Sequence, residues 1–424
     1  MSADAFAHVA HHGDRVRVAP LSVAAGVRAF FGLMIIIGAV TFSLEVSSDP
    51  TRAYAAWLQN FWVFLCLGLA GTFFSAIHYL VGATWSVVVR RIADAFASFV
   101  PMALILFVVV AVGIPILNAA ASLAGLGAIP EAIPHLYVWS SPAATQGVGA
   151  KLIAKGGYLS TNFFILRSLF FLGLWSFFSW YFVRNSTRQD ETRDPALSRR
   201  NLKLSAVFIV SFAITFTLAA FDMLMSLEPT WYSTIFGVYA WAGLWQSGLA
   251  AIAIVAVILR RQGALQGVIS RAHYHDLGKL VFAFAVFWTY IAFSQFMLIW
   301  YANLPEEIEW MIHRIYTGWG AVIIAVAVLK WVIPFFVLMP QRWKENETVL
   351  LTVCSGVILG QWLDSYWIIY PAFSPEHAVL SWNEIGVALG FIGLFGWRVQ
   401  SFLSRHPVAP HGDPDFPASV RFHA

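Results

Sequence analysis

The sequence predicts an all-α integral membrane protein of ten transmembrane helices, and three observations predict it. Only 11% of the 424 residues are Asp, Glu, Lys or Arg, while 59% are hydrophobic and 16% aromatic, for a mean hydropathy of +0.71. Soluble domains carry about 25% charged residues, so a water-facing surface of this composition would aggregate. That excludes a soluble enzyme, a disordered chain and a nucleic-acid binder. Ten apolar runs reach the roughly 20 residues that a helix needs to cross a bilayer. They are continuous, whereas barrel strands would be short and alternating. Lastly, Lys and Arg gather on alternate connections, as the positive-inside rule requires of a multi-pass chain.

The first run, 27–46, follows a polar N-terminal segment, residues 1–26, and leads into an acidic loop. No small-residue cleavage site follows it, so no removable signal peptide is expected. The other runs are 60–82, 92–114, 162–183, 203–225, 235–259, 278–301, 313–339, 349–371 and 383–403. The tail, 404–424, is rich in Pro and is expected to be extended. One side of the membrane keeps Arg52, Lys151, Lys155, Arg167 and Arg314; Lys330 falls within a span, and the remaining 20 of the 26 basic residues share the other side with both termini. Both termini are therefore expected to be cytoplasmic. The basic loop RNSTRQDETRDPALSRRN (184–201) dominates that count and reads as a topology and lipid-headgroup signal.

On the outer side, the loop of about 115–161 is long and apolar, with LYVW at 136–139. Such a loop is expected to bury itself against another protein or to rest on lipid. NLPEEIEW (303–310) places Glu306, Glu307 and Glu309 at that same side. Gly386, Gly390, Gly393 and Gly396 in the last helix, with Gly356 and Gly360 in the ninth, are expected to let helices of this chain approach closely. Pro101, Pro334 and Pro340 are expected to bend or end helices 3 and 8.

Ionisable groups inside spans cost about 2.5–3.5 kcal/mol each by insertion measurements, which makes them candidates for function. Counting along the spans at about 1.5 Å per residue puts His78 and Lys330 in the inner third and Asp222 and Asp364 in the outer third. Gln246 and Ser247 fall near the middle, with Ser294 and Gln295 slightly outward. Gln361, Asp364 and Ser365 share a face through their i, i+3, i+4 spacing. Together they suggest polar lines that enter from both sides, as a proton relay or a polar ligand pocket needs. Lys330 could equally snorkel to the inner headgroups, and His78 could be a neutral packing residue. Asp222, one turn before Ser226 and Glu228, could cap local structure at the outer interface. His313 and Arg314 read as the outer start of helix 8, and Asp276 as an N-cap. A metal pair at His273 and His275 lacks further ligands, so no metal site is expected.

Cys66 and Cys354 are too few for a disulfide framework or for an iron–sulfur cluster held by this chain alone. Only His78 lies well inside a span, so no paired-histidine haem is expected. No phosphate-binding Gly-rich loop and no HExxH pattern is present.

Several stretches together resemble a known family: WSVVVRR (85–91), the run Lys155, Tyr158, Leu159, Phe163, Phe164, Arg167, FDMLMSLEPTWYSTIFGVYAWAG (221–243), AHYHDLGKLVFAFAVFWTYIAFSQFMLIWYANLPEE (272–307) and DPDFPASVRFH near the end. These are similar to the second polysulfide-reductase-like (NrfD-type) membrane subunit of bacterial alternative complex III. The resemblance implies two four-helix bundles, helices 2–5 and 6–9, flanked by helices 1 and 10, over residues 27–403. It implies a respiratory quinol oxidoreductase of the bacterial inner membrane in which electrons pass to a cytochrome c or an oxidase. Implied partners are a sister NrfD-type subunit, a periplasmic iron–sulfur protein, c-type cytochromes and a terminal oxidase. Redox cofactors would sit in those partners, with no catalytic residue and no redox centre in this chain and quinone or quinol as its candidate ligand. Proton half-channels are implied too. The family-motif positions are Asp222, Glu228, His275, Asp276 and Lys279, the last three as candidates for proton uptake from the cytoplasm; His78, Gln295, Lys330 and Asp364 come from depth alone. Three other readings remain open: a quinone-reactive anchor of another molybdenum or iron–sulfur oxidoreductase, a secondary transporter, and a scaffold.

Overall fold

The computed structural model describes residues 18–123, 134–141 and 155–422. It is 80% helical. Among the described residues, ten helices are long and apolar enough to span a membrane: α1 Ala25–Ser48, α2 Pro50–Leu80, α3 Thr84–Ser122, α4 Thr161–Thr192, α5 Pro195–Leu227, α6 Phe236–Arg261, α7 Arg271–Ala302, α8 Gly320–Leu338, α9 Glu347–Ala372 and α10 Trp382–Leu403. The ends follow local chemistry. Asp49 and Asp194 cap α2 and α5 ahead of a Pro at the first helical position. Asn346 accepts from the Thr348 and Val349 amides at 2.9 and 3.1 Å. Ser381 with Glu384, and Ser270 with His273, close capping boxes on α10 and α7.

Helices α2–α5 pack as one closed ring of four and α6–α9 as a second; α2 against α6 joins them, and α1 pairs with α10 at the flank. The most apolar window of α2 is 89% buried and that of α6 83%, so these two form the centre. α1, by contrast, turns Phe30, Leu33, Ile36, Val40 and Leu44 outward, the stripe expected of a lipid-facing helix. Gly38 of α1 meets Gly390 of α10 so closely that a Cβ on Gly38 would lie 2.3 Å from the Gly390 Cα. The expected small-residue packing is therefore a seam within this chain.

The structure departs from the sequence expectations in four places and bears out a fifth. α2 begins at Pro50, ten residues early, because Gln59 and Asn60 are buried within it: Gln59 donates to the Trp362 carbonyl and Asn60 to that of Ala56. Pro101 breaks α3 as expected, at Ser98–Phe99, into Val87–Ala97 and Val100–Leu123; it has no N–H for the Ala97 carbonyl four residues earlier, and the Arg398 side chain donates to the Ser98 carbonyl at the break at 3.0 Å. The expected span 313–339 divides into a short helix, Pro305–Ile315, and α8. Asp276 is not an N-cap; that place belongs to Ser270, and Asp276 lies in the second turn of α7. The tail is not simply extended: Phe416–Val420 forms a helical turn packed against the start of α3.

The tail and the N-terminal strand of chain meet at one end of the molecule. Leu21 donates to the Leu403 carbonyl, and the Val408 amide to that of Ala19. We call this the termini face. Of the apolar loop's central part, residues 134–141 are described, and Tyr137 and Trp139 there are buried against this chain. Tyr137 donates to the Met223 carbonyl and Trp139 to that of Ser226, both at 3.0 Å. The rest of that loop, 124–133 and 142–154, and the first 17 residues lie outside the described residues.

Candidate functional site: a buried amine–carboxylate pair in the second bundle

Pro334 sets the site. It has no N–H to give the carbonyl four residues earlier, that of Lys330, and the helix loosens into a π turn over Val328–Val332. Gln246 of α6 repairs the loss, donating from Nε2 to the Lys330 carbonyl at 2.6 Å. Gly360 of α9 leaves room for the lysine stem; a Cβ there would stand 2.7 Å from Lys330 Cγ.

Lys330 is 0% exposed. Its Nζ donates to Asp364 Oδ2 at 2.7 Å and to Gln361 Oε1 at 2.6 Å, and lies 4.0 Å from the centre of the Trp288 ring. The Tyr239 hydroxyl donates to the other oxygen, Asp364 Oδ1. Snorkelling is thereby overturned, and so is the separation of Lys330 and Asp364 into inner and outer thirds. α8 starts at Gly320 rather than 313, which moves Lys330 to its middle, opposite Asp364. Two isolated charges here would be prohibitive; paired and hydrogen-bonded, each offsets the other's desolvation. Gln295 shares the face of α7 that carries Trp288, two turns on. Both are buried, and among the described residues Gln295 Oε1 and Trp288 Nε1 have no hydrogen-bond partner. Buried polar atoms left open in this way are where ordered water enters a bundle.

Away from the termini face, Arg314 is also 0% exposed, so it is not an interfacial charge. It pairs with Glu228, donates to the Ile368 carbonyl at 3.0 Å and lies over Trp310 at 3.9 Å. Glu228 reaches solvent, its side chain 25% exposed. Asp222 belongs to the first bundle instead. Arg167 holds it bidentately, at 2.9 and 3.0 Å, and Ser226 donates to its backbone carbonyl. A doubly bonded carboxylate of this kind is an anchor for α4 on α5.

At the termini face, His78, Asp276 and Lys279 border a cleft of about 470 Å³. Asp276 pairs with Lys279, and His275 Nδ1 lies 3.8 Å from the same carboxylate. His78 Nδ1 lies 2.8 Å from the Phe74 carbonyl oxygen. The structure thus brings Lys330, Gln361 and Asp364 together, and separately His78, Asp276 and Lys279, but leaves Asp222 apart from both sets.

Sequence reasoning missed several buried groups. Asp94 accepts from Ser186 at 2.6 Å and Ser75 at 3.3 Å and faces Arg91 at 3.4 Å. Arg91 also pairs with Asp190, and Arg90 with Asp413 of the tail at 2.7 Å. Glu384 binds Arg52 at 2.6 Å, with Glu45 3.8 Å from the same guanidinium. Tyr239 was legible, since it lies two turns from Gln246 on one face of α6. Among the described residues, no group of three His, Cys, Asp or Glu side chains is arranged to hold a metal. Compared with protein-family models and with curated proteins, the chain matches none.

Proposed function

We propose that this chain carries protons across the membrane, as the second NrfD-type subunit of a quinol-oxidising alternative complex III in the bacterial inner membrane, with both termini cytoplasmic. One observation carries the reading: a fully buried lysine amine bonded at once to a carboxylate and an amide near the middle of a span. A charged Lys–Asp pair and its neutral tautomer differ by one proton moved along one hydrogen bond, which makes the pair a natural relay. Tyr239 extends the line from Asp364, and Arg314 with Glu228 supplies charge where the second bundle meets the side opposite the termini. His78, Asp276 and Lys279 form the polar border on the termini side. Electrons would be handled by the sister subunit, the iron–sulfur protein and the cytochromes, whose redox changes shift the proton affinity of the pair.

The test is Asp364→Asn in the native assembly reconstituted into vesicles. Asn keeps the volume and an acceptor for Lys330 but cannot take a proton. Coupled proton transport is expected to fall at least tenfold while assembly stays within about twofold of wild type; wild-type transport would remove the pair from the mechanism. Purification tests the assembly itself. A respiratory subunit brings haem-containing partners, whereas a chain that emerges alone, without haem absorption, is a stand-alone transporter.

A further inference from the structure

A second cleft lies at the termini face, between the ends of α6, α7 and α9, and the inference from it goes beyond proton transport and does not rest on it. Its volume is about 410 Å³, and Arg260, Arg271, Arg342, Glu345, Asn346 and Glu347 line it. Three guanidinium groups thus converge on one space from three pieces of chain: the last turn of α6, the first residue of α7 and the short helix Gln341–Lys344 ahead of α9. Like charges brought together in this way favour a bound counter-charge.

The acids present are already engaged. Glu347 pairs with Arg260 and, at 3.4 Å, with Arg261, while Glu345 accepts from the Gln341 amide at 3.0 Å. Among the described residues, neither Arg271 nor Arg342 forms an ion pair. Counting Arg261, four guanidinium groups stand against two carboxylates, a surplus of two positive charges. Asn346 adds a donor rather than an acceptor. Its Oδ1 is taken by the Thr348 and Val349 amides, so Nδ2 is what remains for a ligand. Arg260 is held by Glu347 and lies 5.7 Å from the centre of the buried Tyr274 ring.

Groups that can only donate select an anion rich in acceptor oxygens. A carboxylate is planar and brings two oxygens, which suits one guanidinium fork. A terminal phosphate brings three, faces donors from several directions and carries about −1.5 to −2 charge at pH 7, which matches the surplus. Its source follows from the surroundings. Phe336, Met339 and Trp343, all exposed, precede the cleft along the chain, and a Trp at the end of a span marks the level of lipid headgroups. A lipid headgroup and a soluble ester both reach that level, and both present the same group.

We propose that this cleft binds a phosphomonoester, the terminal phosphate of a membrane lipid or of a small soluble ester, through Arg260, Arg271 and Arg342. The test titrates the full chain calorimetrically, in a maltoside detergent at pH 7.5 and low salt, with dioctanoylphosphatidic acid and glycerol 3-phosphate, and with dioctanoylphosphatidylcholine and acetate as controls. Saturable binding of a phosphomonoester is expected, at least tenfold tighter than either control. Phosphatidic acid binding alone identifies a lipid source; glycerol 3-phosphate at matching affinity identifies a soluble one. Arg271→Gln together with Arg342→Gln should weaken binding at least tenfold without altering helicity, because both side chains are exposed. Glu345→Gln removes an opposing charge and keeps an acceptor for Gln341. It should tighten binding several-fold, a gain that a misfolded chain cannot show. No saturable binding, equal affinity for phosphatidylcholine or acetate, or a double variant that binds as tightly as wild type would overturn the proposal. Should the double variant lose helicity, an unchanged affinity in Glu345→Gln overturns it instead.

Discussion

At the scale of single residues, the chemistry of the second bundle turns on whether a buried charge has its partner. Lys330→Met leaves the Asp364 carboxylate buried with Tyr239 as its remaining side-chain donor. Removing one member of a buried pair costs about 3–5 kcal/mol, whereas replacing both by apolar groups is often neutral or stabilising. Lys330→Met is therefore expected to lower the detergent unfolding midpoint sharply, and Lys330→Met with Asp364→Leu to recover most of the loss while remaining inactive in proton transport. A double variant no more stable than the single one would show that the pair is not the unit of cost. Depth counting picked out Lys330 and Asp364 because charge within a run of apolar residues is conspicuous, but it could not pair them. Pairing depends on where α8 begins, and the expected span 313–339 took in the polar end of Pro305–Ile315 and the turn that divides it from α8. Arg314 was misplaced for the same reason. Asp94, Glu384 and Glu45 were overlooked because each lies near a helix end, where charge ordinarily costs little, and their burial comes only from neighbouring helices.

At the scale of elements, the ten helices and their order were legible, because a bilayer dictates both length and apolarity. Their interruptions were less so. Pro101 and Pro334 both interrupt a helix, yet the outcome differs with the neighbours at hand: the Arg398 side chain donates to the Ser98 carbonyl at the break in α3, and Gln246 donates to the Lys330 carbonyl in the π turn of α8. Which donor arrives is a property of packing, which no single helix contains. Gln246→Leu should leave the Lys330 carbonyl unsatisfied and cost about 1–3 kcal/mol. Adding Pro334→Ala supplies a backbone N–H for that carbonyl, so the double variant is expected to be more stable than Gln246→Leu alone. Thermal unfolding in one detergent measures both; identical midpoints for the two would mean that Gln246 acts through its bulk rather than its bond.

At the scale of the whole molecule, the tail ties the first bundle to the second across the termini face. Asp413 holds Arg90 of α3, the Gly412 amide donates to Asp190 of α4, and Ser419 accepts from the Val88 amide. The Ser419 carbonyl lies 3.1 Å from His273 Nε2 at the start of α7. Docking of this strap carries a pH signature through His406, whose ring packs at a tilt against Phe402, centres 4.7 Å apart. Partial burial, with the Arg91 guanidinium adding to it, holds the His406 imidazole below its ordinary value near 6.5, against the smaller opposing pull of Asp190. A base whose affinity for protons is lower folded than unfolded makes the unfolded or undocked chain the greater proton binder. Stability then rises with pH: the contribution is complete above about 6.5 and is lost as pH falls below it. His406 is partly exposed, so solvent tempers the effect without changing its sign. Limited proteolysis of the tail is thus expected to quicken several-fold between pH 7.5 and pH 5.5, while the helices themselves stay intact. His406→Phe keeps the ring on Phe402 and removes the titration, so its cleavage rate should vary much less over the same interval. A His406→Phe chain with the full wild-type pH dependence would assign the release to another group, with His411, 3.6 Å from Asp190, the next to substitute.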